Sequence, residues 1–303
     1  IRHERRRPLV LVGVLSGSVG RRHPVRCAIK LLQVQGVRPL LVVGYGAVRG
    51  GRVYTTLTSG ILHVPVRDMN GSGVLSTAGT PAALLKQAFF FRYAVEQPEP
   101  VVALTDDDTF VSLPALHFVA AALHKVLGAS PWYGGSIEWY NWIPSQLRST
   151  GQAAGPKLSG GLGRAYSNCS AEPLRPGDRV DANAPRPRCL GPFAFALGNL
   201  ALASLSAVQR VVSSAEFDRG FERAMTMQDS REVVSHPIQN DVQLGYLMSS
   251  QVPGLTWVTF ALAESDFWHT RRGGSAYGTL DGRTLLSAHR LPWLCWAVEL
   301  MHI

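Results

Sequence analysis

Val101-Val102-Ala103-Leu104-Thr105-Asp106-Asp107-Asp108-Thr109-Phe110-Val111 is the stretch around which this chain organises itself. Four apolar residues, Val101 to Leu104, form the pattern of a buried strand and run straight into three aspartates. Adjacent carboxylates repel one another unless a cation sits among them, and oxygen ligands suit a hard ion such as Mg²⁺ or Mn²⁺. In open α/β sheets ligands collect beyond the carboxyl ends of strands, which is where this cluster falls. An acidic, solvated turn ahead of the helix that follows Pro114 is the competing account of the same residues.

Upstream, the pattern alternates between strand and helix. Pro8 to Leu15, P-L-V-L-V-G-V-L, predicts a first buried strand. It leads into Ser16-Gly17-Ser18 and then Arg21, Arg22 and Arg26. Such a turn can hold a pyrophosphate through backbone N–H groups and guanidinium forks, although solvated arginines fit the pattern equally well. Pro39 to Val43 and Gly60 to Val66 predict the next two strands. Helical spacing covers Thr80 to Glu96, with Thr80 at the N-cap and Pro81 in the first turn. This helix carries Lys86 amid Leu84, Leu85, Phe89 and Phe90. Strand, helix, strand in this order marks an α/β domain.

Downstream, Ser112 to Leu127 predicts a helix on which His117, His124 and Lys125 have packing or surface roles. Trp132 to Trp142, W-Y-G-G-S-I-E-W-Y-N-W, holds three of the seven tryptophans. Aromatic platforms of this kind stack on sugar faces, and they also build cores. Gly151 to Arg188 is rich in Gly, Pro, Arg and Ser and predicts a long surface excursion that could close over a site. Cys189 to Leu197 predicts a strand, with Asn199 capping a helix that runs to about Val212. Asn240, as N-cap, opens a later helix with Asp241 in its first turn. Trp257 to Leu262 predicts a late strand, and Leu285 to Arg290 a polar approach to the C-terminus.

The 303 residues are 46% hydrophobic and 17% charged, enough to bury a substantial core as one large or two fused domains. A formal net charge of +9 favours an anionic partner. The arginines are dispersed, with no aromatic-interleaved basic stripe, which argues against nucleic acid. Cys27, Cys169, Cys189 and Cys295 lack C-x-x-C spacing, so a structural zinc site is not expected; disulfides and buried thiols both remain open. Asn168-Cys169-Ser170 is formally a weak glycosylation sequon. No run approaches the ~18 apolar residues that span a bilayer. Because the chain opens at Ile1, a signal or anchor is expected to have been trimmed.

In this order the pieces resemble the β-1,3-glycosyltransferase family, which includes the β-1,3-galactosyltransferases, the β-1,3-N-acetylglucosaminyltransferases and Fringe. Val10 to Arg26 is similar to the family's opening strand and R-x-x-x-R signature, here Arg22 and Arg26. Lys86 matches a lysine at a similar interval before the acidic motif. Thr105 to Leu113, T-D-D-D-T-F-V-S-L, resembles D-D-D-x-F-V-N-L. Cys189 to Leu197 resembles the cysteine-glycine-proline strand, Asn240 to Gly245 the E-D-V-x-x-G motif, and His289 the histidine that closes the metal site. The chain departs from the family at Cys27 to Ile29, where a tryptophan is usual, and at Arg186 to Arg188, where a tyrosine-rich lead-in is usual. It also carries Asn240 in place of an acidic residue.

The resemblance implies a GT-A type α/β fold with a central, mainly parallel sheet flanked by helices. It implies a single catalytic domain over 1–303, with a nucleotide-sugar donor half at 8–129 and an acceptor half at 130–303. The activity implied is inverting, metal-dependent transfer of a hexose, galactose by preference, from a UDP-sugar to a sugar hydroxyl in β-1,3 linkage. In that scheme Asp108 and His289 hold Mn²⁺ or Mg²⁺, and Asp106, Asp107, Arg22, Arg26 and Lys86 contact the donor. Glu138, Trp139 and Tyr140 face the glycan acceptor, and Asp241 is the base. The setting implied is the Golgi lumen, with a membrane anchor N-terminal to this chain. An inactive member serving as a glycan-binding or chaperone subunit is the alternative, and His269 is the alternative to His289.

Overall fold

All six residues of strand β1 (Val10–Leu15, V-L-V-G-V-L) are buried, as expected for a strand covered on both faces. The computed structural model describes residues 8–16, 36–44, 56–58, 60–66, 81–106, 109–142, 190–229, 240–260, 268–269, 275–277 and 287–289. Around β1 stand β2 (Val37–Gly44), the short hairpin of β3 (Thr56–Thr58) and β4 (Ile61–Val64), and β5 (Val101–Asp106). β7 (Trp132–Trp142), β8 (Leu190–Ser204) and β9 (Thr256–Thr259) complete an eight-stranded sheet of order β3-β4-β2-β1-β5-β8-β7-β9. β4, β2, β1 and β5 pair parallel. β8 is antiparallel to both β5 and β7, so β7 runs in the direction of β5, and β9 follows it in parallel. Among the described strands of this sheet, only β3 and β8 are reversed. A smaller sheet of order β10-β11-β12-β6 is built from β6 (Thr109–Val111), β10 (Trp268–His269), β11 (Ser275–Tyr277) and β12 (Ser287–His289).

Alternation along the strands divides the apolar side chains between two cores. Val10, Val12 and Val14 join Leu41, Val101, Ala103 and Leu202 on one face, covered by Leu113, Leu116 and Ala120 of α2 (Leu113–Leu127). Leu11, Leu15, Val102 and Leu104 point to the other face. There they meet α1 (Pro81–Ala94), α3 (Leu205–Val212), α4 (Ala215–Asp229) and α5 (Asn240–Gln251). The α/β class and the central, mainly parallel sheet flanked by helices expected from the sequence are both present. Each fully buried Leu or Phe contributes about 1.5–3 kcal/mol. Both cores take residues from either side of residue 130.

Close packing sets where α1 lies. A Cβ on Gly13 would stand 2.6 Å from the Phe90 ring, so any larger residue there would have to displace that ring of α1. At the opposite end of the sheet from Asp106, Arg38 of β2 forks onto Glu99, with Nε to Oε1 at 2.7 Å and Nη2 to Oε2 at 2.8 Å. The same guanidinium donates to Gln97 and to the Tyr93 hydroxyl. Burial pulls the Arg38 pKa down, but these bonds more than offset it and the net shift is upward.

Several sequence expectations need correction. The helix expected after Asn199 begins only at Leu205, because β8 continues through Ser204. Leu200 and Leu202 are buried on one face while Ala201 and Ala203 are buried on the other, and neighbours pair on both edges. An apolar run of this length does not distinguish strand from helix by periodicity alone. Ser204 is the true cap: its Oγ accepts from the Ala207 N–H at 3.3 Å and also from the Trp132 N–H at 3.0 Å. Asn240 is the first helical residue of α5 rather than its N-cap. The last core strand ends at Thr259, short of Leu262.

Candidate functional site at the carboxyl ends of β1 and β5

β1 and β5 end side by side, with Leu15 registered against Asp106. Asp106 is half-buried there, and Ser16 beyond Leu15 is buried. Lys86 comes from α1 into the same end of the sheet. Its side chain is buried, and Nζ donates to the Ser16 carbonyl at 2.5 Å. A strand-end carbonyl and a buried ammonium thus stand where the acidic triplet begins. Asp107 and Asp108 lie outside the described residues, as do Arg22, Arg26, the four cysteines, Asn168 and the Gly151 to Arg188 excursion.

The chain resumes at Thr109, where β6 pairs antiparallel with β12 in the register Thr109↔His289, Phe110↔Ala288 and Val111↔Ser287. The His289 backbone therefore lies beside the residue that follows Asp108. His269 sits on β10, which β11 and β12 separate from β6. Among the described residues no group of three or more His, Cys, Asp or Glu side chains clusters to hold a metal. By residue type, carboxylates with one imidazole are a donor set that would suit Mn²⁺ or Mg²⁺.

The other candidate groups arrive on β7, β8 and α5. Glu138, Trp139 and Tyr140 pair with Phe195, Ala194 and Phe193 of β8. Gly135 is level with Ala201, and Ala201 with Leu104, so Glu138 to Tyr140 extend past the end of β5 on the side of the triplet. Trp132 and Tyr133 at the start of the aromatic stretch are fully buried, which makes them core and not a sugar platform. α5 lies against β8 at Gly245, where a Cβ would stand 2.5 Å from the Ala194 carbonyl and collide with Phe195. This contact brings the first turn of α5, with Asp241, to the same end of the sheet.

Asp241 is half-buried, and its Oδ1 accepts from the Val242 N–H at 2.9 Å. Its charge reaches the Tyr133 hydroxyl on β7. Burial raises the Tyr133 pKa strongly, a hydrogen bond from the Ala196 N–H partly opposes this, and the Asp241 carboxylate raises it further. Asn240, next to Asp241, is buried against Gln87 of α1: Asn240 Nδ2 donates to Gln87 Oε1 and Gln87 Nε2 to the Asn240 carbonyl, each at 3.4 Å. Sequence reasoning missed Gln87. The one available signal was a glutamine set amid the apolar face of α1, directly after Lys86.

No protein-family model matches the chain, and no curated protein matches it. Among solved structures it is similar to the mannose-1-phosphate geranyltransferase of Thermus thermophilus, at 12% sequence identity and a TM-score of 0.35, over 83% of this chain and 74% of that one. A likeness at that level does not place the chain in the β-1,3-glycosyltransferase family and carries nothing about activity. Among the described residues no helix is long and apolar enough to cross a membrane.

Proposed function

We propose that this protein is an inverting, metal-dependent glycosyltransferase that moves a hexose, galactose by preference, from a UDP-sugar to a sugar hydroxyl in β-1,3 linkage. The observation that supports the reading is the Thr109↔His289 pairing, which sets the His289 backbone beside the residue that follows Asp108. In this reading Asp108 and His289 hold Mn²⁺ or Mg²⁺, whose positive charge offsets the negative charge left on the departing diphosphate. Asp106 and Asp107 contact the ribose or metal-bound water, while Arg22, Arg26 or Lys86 approaches the uridine or diphosphate. Glu138, Trp139 and Tyr140 orient the acceptor glycan beyond β5. Asp241 takes the proton of the acceptor hydroxyl as its oxygen bonds to the anomeric carbon and the bond to UDP breaks. A general base in this role contributes about 10²- to 10⁴-fold.

The donor half spans 8–129 and the acceptor half 130–303 of one catalytic domain, working in the Golgi lumen behind an anchor N-terminal to this chain. Asn240 favours a second reading, an inactive glycan-binding or chaperone subunit, because the residue beside Asp241 cannot accept a proton. Measurement of UDP release from UDP-galactose, with and without acceptor glycans and Mn²⁺, separates the two. Acceptor-stimulated, Mn²⁺-dependent release is expected. Binding of UDP-sugar or glycan without any turnover would favour the second reading.

A further inference from the structure

We propose that Gln87 is a positioning residue for Asp241, acting through Asn240; the inference rests on the transferase reading above. Gln87 and Asn240 are both buried polar residues, and their amides meet in a reciprocal pair between α1 and α5. One bond holds the Asn240 side chain and the other its backbone carbonyl. Two anchor points on one residue fix both the place and the rotation of the turn that carries the next residue, Asp241.

The neighbour of Gln87 completes the arrangement. Lys86 holds the Ser16 carbonyl at the carboxyl end of β1. Consecutive residues of α1 therefore grip the strand end beside the acidic triplet and the helix start that carries the proposed base. Two adjacent residues of one helix thereby tie the end of β1 to the turn that carries Asp241, the kind of supporting contact on which orientation of reacting groups depends. An amide at 240 suits this role. A carboxylate there would offer Gln87 no donor and would place a second negative charge beside Asp241.

The test is steady-state transfer by the full chain, using UDP-galactose, Mn²⁺ and p-nitrophenyl β-galactoside as acceptor, on Gln87→Met, Asn240→Ala and the double variant. Melting temperatures are recorded in parallel. Loss of positioning predicts that kcat falls about tenfold in each single variant while the KM for UDP-galactose changes less than about twofold. The double variant should be no slower than the slower single one, since both changes remove the same contact. A kcat within twofold of wild type in both single variants overturns the proposal. So do multiplicative effects in the double variant, a parallel loss of kcat, donor affinity and melting temperature, or failure of both single variants to fold. If wild type turns over but is indifferent to Gln87, the positioning role alone falls. If wild type shows no UDP release, the transferase reading itself falls and takes this inference with it.

Discussion

His289 stands opposite Thr109 in the pairing of β12 with β6. His269 is separated from β6 by two intervening strands, and at about 4.8 Å per strand that places it roughly 14 Å away. Asp108→Ala and His289→Ala are therefore expected to lose at least about tenfold in Mn²⁺-dependent UDP affinity, a loss of the size seen when a metal site is disrupted. His269→Ala should bind as wild type does. Titration calorimetry checks all three, and unchanged affinity in Asp108→Ala would sink the assignment.

Asp241→Asn separates a base from a helix-terminus carboxylate. The dipole interaction of a first-turn aspartate is worth about 0.3–1 kcal/mol, so a purely structural Asp241 would leave turnover nearly intact. A base predicts donor affinity retained and kcat reduced about 10²-fold or more. Transfer kinetics at saturating UDP-sugar decide between them.

Gly245→Ala should move α5 off β8. The added methyl would meet the Ala194 carbonyl at 2.5 Å and collide with Phe195. Overpacking costs about 1–3 kcal/mol, against about 1 kcal/mol gained from better helix propensity. A net destabilisation of up to about 2 kcal/mol by urea unfolding is expected, with reduced kcat because Asp241 moves with the helix. A more stable, fully active variant would contradict this packing.

Arg38→Met strands Glu99, whose side chain is 2% exposed. Removing one partner of a buried ion pair costs about 3–5 kcal/mol, and the partly exposed Arg38 places this case at the lower end. Arg38→Met/Glu99→Gln should recover part of the loss. Denaturant titration of wild type and the two variants reads both differences, and an Arg38→Met variant as stable as wild type would show that the pair contributes little.

Tyr133 makes stability depend on alkaline pH. Its pKa is higher in the folded chain than the value of about 10 in an unfolded one, so the unfolded state gives up the proton first as pH rises. Stability is therefore full below about pH 10 and declines above it. Tyr133→Phe should be less stable by about 1 kcal/mol at pH 7, for the lost bond to the Ala196 N–H. That gap should narrow above about pH 10. Thermal unfolding from pH 7 to pH 11 tests it.

What the sequence disclosed and what it concealed follow from the range of the forces involved. β5 was legible because four apolar residues end abruptly in carboxylates, and α1 and α2 because Pro81 and Pro114 mark their starts. β8 was read too short because its apolar run after Asn199 fits a buried helix as well as a strand, and only pairing with β5 and β7 decides. Trp132 and Tyr133 carried a sugar-stacking pattern but went to the core, since β7 lies deep between β8 and β9. Gln87 was invisible as a site residue because its partner stands 153 residues away.

The reversed strand β8 also governs how the chain can reach this structure. Val101 pairs with Ser204, and Trp132 with Thr256, so the middle of the large sheet closes only through contacts between distant parts of the sequence. Topologies dominated by such pairings fold slowly, since loop entropy is lost before the contacts form. During synthesis β1, β2, β4 and β5 can assemble while the outer edge of β5, V-V-A-L-T-D, waits for β8. An apolar strand edge left open in this way invites pairing with another chain. A nascent or truncated chain ending before Leu190 would leave that edge of β5 without the partner that β8 supplies.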